Sequence, residues 1–421
     1  MTMVHAPAAG RARVAEKKQR AEEPVYFDAR NTGRLGPFKL VHVIAAEIVV
    51  GIAAGVYNVT ADQVPMRALP WYIGAAVAAV LILVPVYGRS GGMWLYQAVP
   101  LRRRLSARRA QPQVDAEVLH GLAPDLGIVG VDERDTDIGV GYDDNGWFAV
   151  MALGGADGIT EAVPLVRLAR LFTESGVPVS SIQVVGHTVP VGLSGSDGSA
   201  ASLSYQELLG GLPAVVHHTS WLAVRMNSED AMDAAADRGG DVDGVYKALA
   251  VTVSRVGKLL KNAGVENRVL DAEALGDTLR QSLGLTATNV PAGHPRSAET
   301  WQRWQGDGLQ HVTYRVTRWP TDMNTLPHLI DALGAVPAVF TTTSVTLRPG
   351  MVNSRDPEGK AAGRGATVDC LIRIAGDAQT APAGQTRVRG VAESLGAKLL
   401  RLDGEQGPAA YASAPTGGGA L

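Results

Sequence analysis

Two apolar runs constrain this chain more than anything else in it. The first is LVHVIAAEIVVGIAAGVY, Leu40 to Tyr57, and the second runs from Ala68 to Tyr87. As a helix the first extends about 27 Å, close to the roughly 30 Å hydrocarbon core of a bilayer. The second carries Pro70 in its first turn, Trp71 and Tyr72 at headgroup depth, and Pro85 and Tyr87 at its end. NVTADQVPMR between them is a short polar turn. Two neighbouring near-spanning runs with aromatic and basic ends predict a transmembrane hairpin over 37–88, with spans 40–57 and 68–87, rather than a buried hairpin in a soluble core.

The flanks orient it. Arg30, Arg34 and Lys39 precede the first span, and Arg89 with Arg102, Arg103 and Arg104 follows the second. The turn holds only Arg67, offset by Asp62. The positive-inside rule therefore predicts a multi-pass inner-membrane protein with both termini cytoplasmic. Asn58-Val59-Thr60 matches a glycosylation sequon on the outer turn, a tripeptide common by chance. MWLYQAVPLRRRLSARR, Met93 to Arg109, mixes aromatic residues with arginines. It predicts a basic interfacial segment, 89–113, in which Arg102, Arg103 and Arg104 contact anionic inner-leaflet lipids.

Glu47 in the middle of the first span demands an explanation, because a carboxylate facing lipid is costly. Glu47, Gly51 and Gly55 recur every four residues and share one helix face, and the two glycines form a ridge on which another helix can approach closely. Matching small faces exist on the second span at Gly74 and Ala78, or Ala75 and Ala79. Two readings follow. Glu47 donates a hydrogen bond across a helix–helix contact, within the hairpin or to a partner subunit, or it joins a proton or ion path.

Charge divides the chain in two. Up to Ala110, fifteen basic residues face six acidic ones, a net +9, and the remainder is −11. Basic residues beside a membrane read as topology and headgroup contacts rather than nucleic-acid binding. Residues 1–36 are expected to be a disordered cytoplasmic tail, and no signal peptide is readable. The single cysteine, Cys370, excludes an intramolecular disulfide and a cysteine-based metal cluster.

Beyond residue 113 the pattern predicts an α+β cytoplasmic domain of two tandem modules, 114–290 and 311–404, joined by a linker at 291–310 and followed by a C-terminal tail, 405–421. Asp137–Leu153 reads as a hairpin turning at Asp144-Asn145-Gly146. Leu165, Leu168 and Leu171 mark a helix, Val177–Val189 a strand, Gly192–Ser202 a flexible loop, and Ala214–Met226 a strand. Val242, Val245, Leu249, Val253, Val256 and Leu260 repeat at three and four over a helix from Val242 to Ala263, and Leu275, Leu279 and Leu283 stripe another from Asp271. In the second module two strands flank a short helix at Pro327–Leu333. A strand with Val368, Cys370, Ile372 and Ile374 on one face, a helix from Thr386 to Leu399 and a last strand follow. That order, β-α-β-β-α-β, is ferredoxin-like.

Catalytic signatures are poor. There is no Walker A, HExxH or GxSxG pattern, and the Gly192 loop lacks a phosphate-binding lysine. In a strand, His217 and His218 point to opposite faces and cannot share a metal, so one packed and one exposed ring is expected. The triplets Asp135-Thr136-Asp137 and Asp241-Val242-Asp243 match the DxD pairs with which nucleotide-sugar transferases hold a divalent cation. Asp241 also stands where a helix cap is wanted.

Three stretches carry a resemblance. They are Ser220–Arg280, with its Trp-led strand, Arg-Gly-Gly segment, long helix and Leu270-Asp271-Ala272-Glu273-Ala274-Leu275; LLRLDGEQGPAAYASAPTGGG near the end; and IGVGYDDNGWFAVMAL. With the hairpin and the arginine cluster they resemble EccE, a membrane-core component of the actinobacterial type VII (ESX) secretion system, over about Lys39 to Gly419. The resemblance implies a non-enzymatic structural subunit at the periphery of an inner-membrane complex with EccB, EccC and EccD, of which EccC is the ATPase. It implies no catalytic residue and no cofactor. The rival expectation is a membrane-associated, glycosyltransferase-like enzyme using a DxD pair and a divalent cation.

Overall fold

The structure, a computed structural model, describes residues 34–35, 38–61, 65–90, 93–110, 118–133, 136–154, 163–174, 179–190, 216–236, 240–285, 296–320, 329, 332–333, 336, 338–351, 364–378 and 380–419. Residues 1–33 of the tail expected over 1–36, the Gly192–Ser202 loop and Asp135 lie outside them, while Arg34–Leu35 pair antiparallel with Phe38–Lys39.

Two helices, α1 (Leu40–Thr60) and α2 (Pro65–Tyr87), form the expected hairpin. Each contains 21 residues long and apolar enough to cross a membrane. Neither is a core helix: Leu40 is 58% exposed, Val50 67% and Leu81 69%. A pair of helices with this much open apolar surface is stable only where something apolar covers it. Both ends of the hairpin are pinned. Thr60 donates to the Tyr72 hydroxyl at 2.9 Å, and the Tyr87 hydroxyl donates to the His42 carbonyl at 2.8 Å. The sequon falls inside the last turns of α1 rather than on a loop. Asn58 donates to the Ala54 carbonyl and Thr60 is buried.

Helix α3 (Leu95–Ala110) follows, then α4 (Val118–Leu122) and a mixed domain of helices around an antiparallel sheet. The first strands are β1 (Gly127–Glu133), β2 (Thr136–Asp143) and β3 (Gly146–Leu153); β2 and β3 are the expected hairpin. Then come α5 (Leu165–Glu174), β4 (Ser181–Pro190), β5 (Val216–Met226), α6 (Ser228–Ala236), α7 (Val242–Asn262), β6 (Asn267–Val269) and α8 (Ala272–Ser282). Further on lie β7 (Ser297–Glu299), β8 (Trp304–Gly306), β9 (Leu309–Arg318), β10 (Phe340–Met351), β11 (Arg364–Gly376), α9 (Thr380–Ser394), β12 (Lys398–Arg401) and α10 (Gln406–Ser413).

The sheet runs β7-β8-β9-β11-β10-β4-β5-β3-β2-β1, with β12 beside β9 and β6 beside β3. Every adjacent pair is antiparallel. The second half of the domain therefore reads β12-β9-β11-β10 across the sheet, and the first half β6-β3-β5-β4. They meet where β10 pairs β4, from Thr341 opposite Thr188 to Leu347 opposite Ile182. The two expected modules share one continuous sheet. Their expected linker is part of it: β7 and β8 lie within 291–310, anchored by the buried Trp304 and by Arg296 forked onto Asp307 at 2.8 and 3.0 Å.

Side-chain alternation gives each face its own cover. One face buries Ile138, Met151, Leu222, Val224, Leu347, Val368, Cys370, Ile372 and Ile374 against α7 and α9, with Leu168 of α5 in the same core. Val245, Leu249, Val253, Val256 and Leu260 of α7 are all buried, at about 2 kcal/mol each relative to exposure. The other face packs Phe148, Val150, Val185 and Trp221 against α8 and α10. At its edge β2 gives way to β6. Gly139 donates to the Leu270 carbonyl at 2.7 Å, a backbone approach that leaves no room for a side chain at that position.

Two expectations shift. Helix α9 starts at Thr380, not Thr386, because Asp377 and Thr380 cap each other's backbone N–H and Pro382 fits a first turn. Within 405–421, expected as a tail, the described residues to Gly419 are α10 followed by a series of buried turns.

Candidate functional site

The face of α1 that meets α2 is His42, Ala45, Val49, Ile52, Val56 and Thr60. Glu47, Gly51 and Gly55 lie on the outward side and are exposed; a Cβ built at either glycine meets nothing within 4 Å. On α2 the half-buried small residues are Ala75, Ala78 and Ala79, while Gly74 also faces out. The hairpin thus closes through alanines of α2 and leaves the glutamate–glycine ridge without a partner helix among the described residues. Of the two placements expected for a packing role, the one inside the hairpin is not used.

At the opposite pole of the hairpin the chain builds an aromatic joint. The buried His42 ring lies 4.4 Å from Trp94, 5.1 Å from Tyr87 and 6.0 Å from Tyr96, edge to face in each case. The Arg89 guanidinium sits 4.0 Å over Trp94. Residues from α1, α2 and the start of α3 are locked together, and α3 leaves this joint toward the sheet domain.

The far end of α3 is bolted to that domain. Arg108 forks onto Glu299 with two 2.9 Å bonds and donates to the Gly404 carbonyl at 2.7 Å. Arg109 Nε donates to the Glu299 carbonyl at 2.7 Å. Glu299 also accepts from the Gly407 N–H at the start of α10. Its side chain is only 10% exposed, so this ion pair is screened far less than a surface pair. Of the expected lipid-contacting residues, Arg102, Arg103 and Arg104 all remain exposed, and Arg102 turns its guanidinium over Trp301 at 5.4 Å. Helix α3, expected from sequence to lie at the membrane interface, is a connector, a role that spacing along the chain does not reveal.

The C-terminal stretch seals the polar centre of the sheet. Arg225 forks onto Asp143 with two 2.7 Å bonds and donates to the Thr416 carbonyl; Tyr411 donates to the same carboxylate at 2.8 Å. Burial pushes the Asp143 carboxyl up, but the Arg225 and Tyr411 bonds outweigh it and hold it below the usual range. Gln183 bonds Ser344, Ala412 and Gly417. Nearby, Arg373 is fully buried and donates to Ser413, to the Ser282 carbonyl, to Thr342 and toward His311. No carboxylate is among its partners in the described residues, and burial brings it down to about 9. Burial and the Arg373 charge hold His187 down to about 3 and His311 well below its ordinary value, so both rings are neutral.

Several of the residues weighed for chemistry have structural partners. Asp241 caps α7, accepting from the Val242 N–H at 2.7 Å, and Asp243 sits in the first turn. His217 and His218 are both exposed, which corrects the expectation of one packed ring; His218 bonds Thr188 and Ser220 from the sheet's open end. Cys370 is buried in the core row, its thiol pushed up first by burial and then by Asp369. No group of three or more metal-ligating side chains occurs among the described residues.

No curated protein matches the chain. A family model does, and it covers β5 to β9, including Glu299 and Trp301, which hold α3. Residues 214–316 match the model of the EccE family, described as a type VII ESX secretion system translocon, and the likeness is to that segment of the chain.

Proposed function

We propose that this protein is a non-enzymatic structural subunit of the type VII secretion membrane complex, in which a lipid-embedded hairpin carries a rigidly attached cytoplasmic domain. The EccE match over 214–316 carries this reading. Its support in the geometry is the connector: Glu299, inside the matched segment, clamps the helix that leaves the membrane. The partners are the membrane-core subunits EccB, EccC and EccD, and the ridge of Glu47, Gly51 and Gly55 packs against a helix of one of them. Arg102, Arg103 and Arg104 face anionic lipids of the inner leaflet, with both termini in the cytoplasm. The strand orders β12-β9-β11-β10 and β6-β3-β5-β4 favour two ferredoxin-like units joined edge to edge through β10 and β4.

The test is purification of a tagged full chain from native membranes in mild detergent. The ATPase subunit and the other core subunits are expected to co-purify in fixed ratio. A chain that runs alone, while the remaining subunits assemble without it, refutes the reading. A reporter after Leu421 is expected to be active only inside the cell and one near Ala61 only outside.

A further inference from the structure

Strand β1 closes one end of the sheet. It pairs with β2, residue for residue from Gly127 opposite Tyr142 to Glu133 opposite Thr136, and among the described residues nothing pairs with its outer edge. The other end of the sheet is covered, since β7 there is held to α3 by the Arg108–Glu299 fork. An open edge presents a row of backbone N–H and C=O groups, and sheets commonly guard such a row with lysine, proline or a bulge. The sequence of β1, GIVGVDE, contains neither lysine nor proline, and its register with β2 runs without a bulge. Val129 and Val131 pack on the core beneath α7 and Ile128 on the core beneath α8, yet all three are only half-buried. One more strand alongside would cover the flank they leave open.

The two faces of this edge differ in charge. On the α8 face Asp132 stands directly opposite Asp137, a pairing of like charges that costs stability. Neither carboxylate has a cation partner among the described residues. Helix α8 runs over the same edge, with Gly276 close to Ile128 and Ala272 close to Gly130. One step further round the helix, Glu273 and Asp277 are exposed, and Asp277 accepts from Arg280 at 3.3 Å. At the near end of β1, Asp125 lies beside Asp144, and its charge pushes the Asp144 carboxyl up. On the α7 face the chemistry changes. Arg255 and Lys258 rim, with Glu133, a groove of about 420 Å³ whose apolar lining is Ile138, Ala250, Val251 and Val269. An added strand meets the two faces with alternate residues. Cations suit its α8 side and apolar residues its α7 side. A second copy of β1 does not fit, because antiparallel pairing centred on Gly130 brings the acidic ends of the two edges together.

We infer that the outer edge of β1 takes up an extended segment of another protein by strand addition, a segment whose alternate residues are lysine or arginine toward α8 and apolar toward α7. The open backbone row holds the segment, and the carboxylates select it. The edge shares no residue with the membrane hairpin or with α3, so failure of the membrane-core reading would leave it standing.

The probe is a short fluorescent peptide of alternating lysine and valine, titrated with the full chain in neutral detergent and followed by anisotropy. Saturable binding is expected. The same peptide N-methylated along its centre keeps its charge but loses its backbone donors, and should bind about tenfold or more weakly. A peptide of alternating glutamate and valine should not bind. Asp132→Lys with Asp137→Lys should weaken the lysine peptide by about tenfold or more, and Glu229→Lys with Glu393→Lys, an equal change of charge on α6 and α9, by less than about threefold. Asp132→Asn alone should weaken it by about threefold, so the edge remains testable if the double variant does not fold. Equal binding of the N-methylated peptide, equal loss from the Glu229 and Glu393 changes, or no saturation in the wild-type chain overturns strand addition at β1. Equal binding of the glutamate peptide overturns the charge assigned to the partner. A wild-type dimer that the Asp132 and Asp137 changes dissociate would make the occupant a second copy and overturn the proposal.

Discussion

Arg373 and His187 are held at the centre of the sheet with no carboxylate among their partners in the described residues, and the chain tolerates this by keeping the imidazole neutral. His187 bonds Thr342, lies tilted against Phe340 with ring centres 4.6 Å apart and faces the charges of Arg373, His218 and His217. Its folded pKa of about 3 lies below the unfolded value of 6.5, so on acidification the unfolded chain binds a proton that the folded chain refuses. The stability it contributes is full above about pH 6.5 and is lost progressively as pH falls from there toward 3; His311 acts in the same direction. Thermal melting in detergent should therefore show a Tm falling between pH 7 and 4.5, with a shallower fall in His187→Gln. Superposable pH profiles for variant and wild type would sink this account. The neighbouring pair behaves differently. Arg225 and Asp143 are 5% and 6% exposed, so Arg225→Met leaves a buried carboxylate and is expected to cost about 3–5 kcal/mol. Asp143→Leu added to it should restore part of that stability, and a double variant no better than the single one would show that the charge is not the cause.

Helix α7 shows why some elements are legible in sequence. Five of its six stripe residues are buried, and only Val242, in the first turn beyond the sheet, is exposed at 47%. Its periodicity and its cap are local facts. Asp241→Ala should cost about 1 kcal/mol, measured as a lower Tm, and should leave assembly of the membrane complex unchanged. Loss of function in a folded, assembled Asp241→Ala, Asp243→Ala chain would instead favour cation chemistry at that pair. The alternating row through Cys370 and the β2–β3 turn are legible for the same reason. Other elements owe their existence to distant partners. PAGHPRSAET has the composition of a connector, yet its last residues pair as β7, because Trp304 and Asp307 fold back on Ser297 and Arg296. The Ala-, Gly- and Ser-rich α10 has no apolar stripe of its own. It is helical and buried because Gln183, Thr313, Asp143 and Arg373 satisfy its polar atoms. The Arg108–Glu299 clamp joins residues 191 positions apart, a distance over which no sequence pattern speaks.

At the scale of the molecule the chain is a membrane hairpin, a clamped connector and one long sheet, and strain applied at one end passes through few soft links. Movement of α1 and α2 reaches α3 through the His42–Trp94–Tyr87 joint and reaches β7 and α10 through Arg108 and Glu299. What the single chain leaves unsatisfied is the outward side of α1. Glu47 lies about half a helical turn away from Val49, which faces α2, so no residue of α2 can reach the glutamate. A carboxyl at mid-bilayer depth costs a few kcal/mol facing lipid and is ordinarily turned toward protein or water. The flanking Gly51 and Gly55, with open space above them, allow a second helix to come close enough to meet it. The partner we propose is therefore another helix of the assembly. Glu47→Gln keeps a hydrogen-bonding group of the same size and is expected to preserve the complex on native gels. Glu47→Leu removes the polar contact and Gly51→Leu fills the approach, and each is expected to release this chain from the complex while the Thr60–Tyr72 and Tyr87–His42 bonds keep the hairpin folded. An intact complex with Gly51→Leu would place the contact on another face. An intact complex that no longer secretes with Glu47→Gln would mean that the carboxyl group moves protons or ions rather than holding two helices together.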